Sequence, residues 1–260
     1  MPATSAWAEL RSLLTSDGVQ LSAAHRPPAA PAAGSALGFV LAHGFTGSWR
    51  SAGLTRVSRV LAAYGGVVAL DFRGHGRSGG ESTVGDREVL DLDAVCAWAR
   101  VLGYRVVATV GFSMGASVAV RHAALHHGVD AVVAVSGPAR WYYKGTPAMR
   151  RLHLVVERPA GRALARVAMG TRIGSAPWDP VPAEPREVVA DIAPTPLLVV
   201  HGDLDRYFPV DHAVELAAAA GPTAELWLEP GFGHAEAAVD DELADRIARW
   251  VVTATGAGQP

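Results

Sequence analysis

A serine between two glycines has the neighbours that nucleophilic chemistry requires. Residues 111–115 read Gly-Phe-Ser-Met-Gly and match the pattern G-x-S-x-G, with Ser113 at its centre. A β-branched run at 106–110 precedes the motif and an Ala/Val-rich amphipathic stretch follows it. This is the strand–turn–helix context of a nucleophile elbow, a sharp turn that holds a serine in strained backbone geometry. In a chain rich in alanine and glycine the five residues alone can arise by chance, so the flanking elements carry the prediction that Ser113 is a nucleophile.

A serine nucleophile needs a base, and the position of His234 suits that role. His234 ends a glycine-rich loop, residues 229–234, that follows the last predicted strand, so its imidazole can reach over the strand ends toward Ser113. Structural roles are expected for histidines that fall on helices, near the N-terminus or in turns, namely His25, His75, His122, His126, His127, His201 and His212. We therefore predict that His234 accepts the serine proton.

Two aspartates could orient this histidine. Asp203 and Asp205 both follow a predicted strand at 197–200, and both satisfy the chain order Ser, Asp, His. A buried carboxylate on the imidazole Nδ1–H fixes the tautomer and stabilises the imidazolium ion as it forms. Asp203 lies closer to the strand end, where an aspartate can instead bond the loop backbone as a turn former. The chain order leaves both residues open.

Backbone amides are the expected donors for the oxyanion of an acyl-transfer reaction. One should follow the nucleophile, and the other should lie in the loop after an earlier core strand. These positions are the N–H of Met114 and the N–H of Phe45, which lies in His43-Gly-Phe-Thr-Gly47 directly after the apolar run 37–42. The alternative for the second segment is an ordinary turn at a strand end.

These residues must be positioned by a scaffold, and the sequence predicts an α/β one. Short β-rich runs alternate with longer helical patterns, as in parallel strands joined by crossover helices. The predicted strands are 37–42, 67–70, 106–110, 131–135, 197–200 and 225–228, with an antiparallel edge hairpin around 19–25. The predicted helices are 50–63, 86–102, 114–127, 210–220 and 236–253. We expect residues 27–36 to form a surface connection.

One segment, residues 139–192, breaks the alternation. It has no convincing strand, several prolines and the cluster Trp141-Tyr-Tyr143, and it lies between two core strands. We predict a helical cap within a single domain covering 1–260, with Trp141, Tyr142 and Tyr143 as candidate pocket residues. The alternative is that these aromatic side chains pack the cap onto the body. Between 139 and 172 the segment has eight basic side chains and one acid, Glu157, which suits a solvated face, an anionic substrate or anionic lipid.

Composition limits the classes of function. The chain has 260 residues, half of them apolar, and a net charge of −2, which gives no overall attraction to nucleic acid. Its single cysteine, Cys96, excludes an internal disulfide framework and a cysteine-based zinc cluster. No apolar stretch is long enough to span a membrane, and the N-terminus lacks the pattern of a signal peptide. We therefore expect a cytoplasmic protein that uses neither a metal nor an organic cofactor.

Taken together, these motifs resemble the α/β-hydrolase superfamily. The matching segments are 43–45, 71–78, 111–115, 201–205 and 233–234, in the family's order. The resemblance implies an α/β-hydrolase fold with a mostly parallel central sheet flanked by helices. In the family's G-x-x-D pattern the second aspartate carries the orienting role, which implies Asp205. Two residues differ from the pattern of many relatives, Phe112 in place of histidine and Ala116 in place of a further glycine, but neither removes a catalytic group.

The resemblance also narrows the expected chemistry. Residues 74–80, Gly-His-Gly-x-Ser-x-Gly, are similar to monoacylglycerol-lipase-like and serine-aminopeptidase-like hydrolases, and the segments at 43–46 and 71–76 resemble bacterial cinnamoyl-type esterases. We expect a serine hydrolase that cleaves carboxylic esters with small or medium acyl groups through an acyl-enzyme. The alternatives are an acyl thioesterase, a monoacylglycerol lipase and a non-catalytic ligand-binding protein of the same fold.

Overall fold

Eight strands form one sheet in the computed structural model, which describes residues 7–29 and 36–257. In chain order they are β1 (Glu9–Leu14), β2 (Gln20–Arg26), β3 (Leu37–Ala42), β4 (Gly66–Asp71), β5 (Val106–Phe112), β6 (Ala131–Val135), β7 (Leu197–Gly202) and β8 (Ala224–Glu229). Their order across the sheet is β1-β2-β4-β3-β5-β6-β7-β8. Strands β3 to β8 are mutually parallel, and β2 is antiparallel to both of its neighbours. The predicted α/β class with a mostly parallel sheet is confirmed.

The central strands are buried on both faces, which explains why they read as unbroken apolar runs. Every residue of β3, β4, β6 and β7 is buried, as expected of parallel strands covered by helices on two sides. The predicted hairpin is also present, with β1 and β2 joined through a turn at 15–18. Residues 30–35 of the predicted surface connection lie outside the described part of the chain.

Helices cover both faces of the sheet. They are α1 (Ala52–Leu61), α2 (Glu88–Val101), α3 (Met114–His126), α4 (Pro147–Glu157), α5 (Pro159–Ala168), α6 (Pro185–Val188), α7 (Asp211–Ala220), α8 (Ala235–Ala238) and α9 (Asp241–Thr255). Helices α1, α8 and α9 pack in one apolar layer. Helices α2, α3 and α7 pack in the other. Four predicted helices are therefore correct to within two residues at each end.

The fifth predicted helix, 236–253, is wrong as a single element. The chain forms α8 and α9, separated at Val239 and Asp240. Asp240 has extended backbone geometry, and its carboxylate accepts a hydrogen bond from Leu243 N at 2.8 Å, so it caps a new helix. Val239 is buried in the same layer as the apolar side chains of α9. In the sequence, the helical spacing of apolar residues therefore continues across the break between α8 and α9.

The segment between β6 and β7 holds α4, α5, α6 and a short 3₁₀ turn (Val189–Ile192). Its last part belongs to the body, because Val188, Val189 and Ile192 lie in the same apolar layer as α3. Helices α4 and α5 form a hairpin in which Gly161 allows close approach, since a Cβ there would lie 2.6 Å from the backbone of Val155. That hairpin is the part of residues 139–192 that best fits the predicted cap.

Candidate active site

Ser113 lies at the junction of β5 and α3, in backbone geometry that few residues adopt. Its φ is +52° and ψ is −118°, and its N–H donates to Val135 O at 2.9 Å. The turn is tight enough that a Cβ on Gly111 would overlap the backbone of Gly115, and a Cβ on Gly115 would overlap the carbonyl of Ala42. Both glycines are therefore required by close backbone contact, and the turn presents the serine hydroxyl at the first turn of α3.

A continuous hydrogen-bonded chain joins this serine to a histidine and an aspartate. His234 Nε2 lies 3.0 Å from Ser113 Oγ, and His234 Nδ1 lies 2.7 Å from Asp205 Oδ2. The Asp205 side chain is fully buried, whereas the His234 side chain is 19% exposed. The three residues come from the ends of β5, β7 and β8, which meet at one edge of the sheet.

Asp205 is held as an anion by its neighbours. Burial alone would raise the pKa of its carboxyl, but the hydrogen bond from His234 and the attraction to its imidazolium form, together with two backbone amides, lower that pKa below its ordinary value. The amides are Tyr207 N at 2.8 Å and Phe208 N at 3.1 Å from Oδ1. An ionised carboxylate in this position fixes the Nδ1–H tautomer of His234 and leaves Nε2 free to accept the serine proton.

Asp203, the other candidate, has a different partner. Its Oδ1 accepts a hydrogen bond from Gly231 N at 2.7 Å. This contact ties the loop after β7 to the loop that carries His234. The structure thus brings Asp205, and not Asp203, to the imidazole. Asp203 bonds a loop backbone, as its alternative role expected, but the bond joins two loops and does not form a local turn.

The two amides predicted to hold an oxyanion belong to Met114, which follows Ser113 in the chain, and to Phe45, which follows Gly44, where an added Cβ would lie 3.3 Å from Ser113 Cβ. Within the described residues, neither Met114 N, the first N–H of α3, nor Phe45 N donates to a protein acceptor. The loop around Phe45 is fixed on both sides. His43 donates from Nδ1 to Gly44 O at 2.7 Å, and Thr46 N donates to His75 Nε2 at 3.1 Å.

The two histidines that fix this loop, His43 and His75, are neutral and each bonds the backbone through both ring nitrogens. His43 Nε2 accepts from Phe72 N at 3.0 Å, and His75 Nδ1 donates to Arg73 O at 2.9 Å, so each ring carries its proton on Nδ1. Burial lowers the pKa of both, and the proximity of His75 helps to lower that of His43 to about 3. The ring that binds Thr46 therefore keeps an unprotonated Nε2 at neutral pH, as its acceptor role requires.

Glu236 is a neighbour of the site that the sequence did not reveal. Its Oε1 lies 3.4 Å from Gly44 N. A Cβ added to Gly44 would lie 3.4 Å from Glu236 Oε2 and 3.3 Å from Ser113 Cβ, so the glutamate and the serine lie on the same side of this glycine. Burial raises the pKa of its carboxyl above the ordinary value. Only its place two residues after His234 could have pointed to it, because the loop it contacts lies almost 200 residues earlier.

The aromatic residues predicted to line a pocket, Trp141, Tyr142 and Tyr143, make their described ring contacts with side chains other than His234. Tyr143 packs edge-on against His212 at 4.6 Å between ring centroids, so it joins the segment after β6 to α7. Tyr142 is exposed and Trp141 is half-buried, and each contacts Trp178. The ring closest to the histidine belongs to Tyr207, whose centroid lies 4.4 Å from that of His234. Tyr207 is close because it follows Asp205 by two residues.

The structure also bears on metal binding, on membrane-spanning helices and on the single cysteine. Over residues 7–29 and 36–257, no group of three or more His, Cys, Asp or Glu side chains is arranged to hold a metal ion, and no helix is long and apolar enough to cross a membrane. Cys96 is buried away from the site, and that burial raises the pKa of its thiol.

Comparison with known proteins places this geometry in context. Residues 39–250 match the alpha/beta hydrolase family. An esterase of Pyrococcus furiosus is 25% identical over 94% of this chain and 90% of its own, with a TM-score of 0.72. A serine hydrolase without a lid from Xanthomonas campestris is 20% identical over 98% of this chain and 96% of its own, with a TM-score of 0.64. Est1E of Butyrivibrio proteoclasticus, solved with ferulic acid bound, is 20% identical over 94% of this chain and 99% of its own, also at 0.64. No curated protein matches the sequence.

Proposed function

Because the chain belongs to the alpha/beta hydrolase family, we propose that it is a serine hydrolase that cleaves carboxylic esters, with Ser113 as nucleophile, His234 as base and Asp205 as the orienting acid. The observation that carries the proposal is the unbroken chain from Asp205 Oδ2 to His234 and on to Ser113 Oγ, with contacts of 2.7 and 3.0 Å. A merely structural serine has no need of a strained backbone and of a base within hydrogen-bonding distance.

The reaction has two steps. Ser113 Oγ attacks the carbonyl carbon of the ester while its proton passes to His234 Nε2. The tetrahedral intermediate collapses, the leaving alcohol takes the proton from Nε2, and the acyl group stays on Ser113 Oγ. A water molecule then gives a proton to Nε2 and attacks the acyl carbon. When this second intermediate collapses, the proton returns to Ser113 and the carboxylic acid departs.

The amides of Phe45 and Met114 stabilise both tetrahedral intermediates. Each is a fixed donor, and loss of one such donor typically costs ~3–4 kcal/mol of barrier lowering. Their use is supported by the loop geometry, in which His43 and His75 hold the residues on either side of Phe45. The N-terminal end of α3 adds a favourable dipole for the negative charge that develops on the substrate oxygen.

The proposal is tested by hydrolysis of p-nitrophenyl esters of increasing acyl length. We expect the wild type to cleave them and Ser113→Ala to lose about 10³-fold or more in kcat, because the nucleophile is removed. Ser12→Ala, an exposed serine on β1, is the matched control and should behave as the wild type does. Activity that survives in Ser113→Ala would contradict the proposal.

The same steps cleave an acyl thioester or a monoacylglycerol. The panel therefore includes the coenzyme-A thioester and the monoacylglycerol of each acyl length. The ratios of kcat/KM identify the preferred leaving group, and the chain-length optimum measures the acyl site. We expect the oxygen esters to be preferred.

A further inference from the structure

Helix α5 carries its apolar residues on the side that faces solvent. Ala160, Ala163, Leu164, Val167 and Ala168 recur at helical spacing on one face, and all five are exposed. Val167 is 87% exposed and Leu164 is 55% exposed. An amphipathic helix in a globular protein normally buries this stripe. Here the opposite face, with Gly161 and Ala165, packs against α4 instead.

The same hairpin is basic without acidic partners. Six arginines lie on or beside α4 and α5, namely Arg150, Arg151, Arg158, Arg162, Arg166 and Arg172. None of them forms an ion pair with any residue that the structure describes. Glu157, the one acid of the hairpin, is already bound to Lys144 at 2.7 Å and to His153 at 2.8 Å. The guanidinium groups of Arg150, Arg162 and Arg172 donate to backbone carbonyl oxygens, whereas Arg151, Arg158 and Arg166 have no side-chain partner among the described residues. The hairpin that carries the apolar stripe therefore has unneutralised positive charge.

The exposed apolar stripe and the arginines together indicate which kind of partner surface would cover the stripe. A second copy of this face would bring the two sets of arginines together, so a symmetric dimer is disfavoured by charge repulsion. The stripe is a row of exposed small and medium side chains on one helix face, which suits a fluid surface. Arginine side chains can reach outward to phosphate groups while the apolar row enters the boundary between headgroups and acyl chains.

We propose that the α4–α5 hairpin docks on an anionic lipid surface, with Leu164 and Val167 inserted and Arg151, Arg158 and Arg166 on lipid phosphates. The hairpin is linked to the candidate active site. The hydroxyl of Thr146, the N-cap of α4, donates to Tyr207 O at 2.9 Å, and the Tyr207 ring contacts His234. Docking would bring the hairpin to the lipid that supplies an acyl substrate, with Tyr207 as the residue between the start of α4 and His234.

The test is co-sedimentation of the full chain with vesicles of phosphatidylcholine, either alone or mixed with phosphatidylglycerol. We expect binding to the anionic vesicles only, and weaker binding as salt rises. Val167→Glu should lower the partition coefficient at least about tenfold, because it removes an inserted apolar group and adds a negative charge. Its control is Val101→Glu, which alters a valine that is 83% exposed at the end of α2.

The charge contribution is tested separately. Arg158→Gln with Arg166→Gln should weaken vesicle binding about 30-fold, the loss expected for two arginines close to an anionic surface. Arg11→Gln with Arg105→Gln removes the same charge elsewhere and should have little effect. Ser113→Ala should bind vesicles as the wild type does, so failure of the ester chemistry and failure of docking are distinguishable.

Three results would overturn the proposal. The first is equal vesicle binding by Val167→Glu and Val101→Glu, and the second is no binding by the wild type. The third is evidence that something other than lipid covers the stripe. This would be dimerisation that Val167→Glu abolishes, or binding to soluble poly-glutamate without binding to vesicles. Circular dichroism of each variant checks that the fold is intact.

Discussion

At the scale of single residues, the two aspartates of the loop after β7 have separate tasks. Asp205 is buried against His234, and Asp203 bonds the backbone of Gly231. They are two residues apart and of the same type, so only the geometry of the loop distinguishes them. Sequence reasoning reached Asp205 through family resemblance and left both open on chain order alone.

Because the two aspartates have different partners, replacing each with asparagine should affect kcat very differently. Asp205→Asn should reduce kcat by about 10³- to 10⁴-fold, because an amide favours the wrong imidazole tautomer and no longer stabilises the imidazolium. Asp203→Asn should keep kcat within about tenfold of the wild type, since an amide oxygen can still accept from Gly231 N. Steady-state kinetics on one p-nitrophenyl ester decide between them. A larger loss in Asp203→Asn would reverse the assignment.

Glu236 predicts a pH dependence of stability. Its pKa is raised by burial above the ordinary value of 4.5, so the folded state binds its proton more tightly than the unfolded state does. The free energy of unfolding therefore falls as the pH rises from about 4.5 to the pKa that Glu236 has in the folded protein. Above that pKa the lost stability no longer changes with pH. Glu236→Gln removes this loss while keeping an oxygen near Gly44 N.

The measurement is the Tm of Glu236→Gln and of the wild type at pH 4 and pH 8. We expect the variant to gain stability relative to the wild type at pH 8 and to gain less at pH 4. Glu81→Gln, an exposed glutamate, should change little at either pH. A difference in Tm that is the same at both values would show that burial of this charge does not act on folding.

At the scale of elements, the candidate site depends on the close packing of the β5–α3 turn against β3. Gly115→Ala would push a methyl group into the carbonyl of Ala42. Overpacking of this kind typically costs 1–3 kcal/mol, and here it would also shift Ser113 and Met114. We expect a loss of ~2 kcal/mol in the free energy of unfolding and a loss of most esterase activity.

Urea denaturation and ester hydrolysis check this expectation together. The control is Gly174→Ala, where the nearest atom to an added Cβ is Ser82 O at 3.4 Å, so both properties should stay close to the wild-type values. Wild-type stability and activity in Gly115→Ala would mean that the turn tolerates a side chain and that the glycine is not required there.

Elements differ in how well the sequence predicts them, for physical reasons. Parallel strands buried on both faces are largely apolar, so β3, β5, β6 and β7 are visible as runs in the sequence. The break between α8 and α9 was missed because Val239 continues the apolar face across it. The solvent-facing stripe of α5 was missed because periodicity reveals a face and not what covers it.

At the scale of the whole molecule, the site is assembled from strand ends that are far apart in the chain. Ser113, Asp205 and His234 follow β5, β7 and β8, and the loop of Phe45 follows β3. Parallel strands bring their carboxyl ends to one edge, so motifs at strand ends could be predicted to converge. Contacts within that edge, such as Glu236 with Gly44 and Tyr207 with His234, depend on loop paths that no sequence pattern encodes.

Activation of Ser113 by His234, with Asp205 orienting the imidazole, can be measured by covalent labelling with a fluorophosphonate, followed by peptide mapping with mass spectrometry. We predict one adduct, on Ser113, that is absent in Ser113→Ala and forms at least about 10³-fold more slowly in His234→Ala, because the serine then lacks its base. An adduct on another residue, no adduct at all, or an unchanged rate in His234→Ala would contradict this activation and favour a non-catalytic ligand-binding protein of this fold.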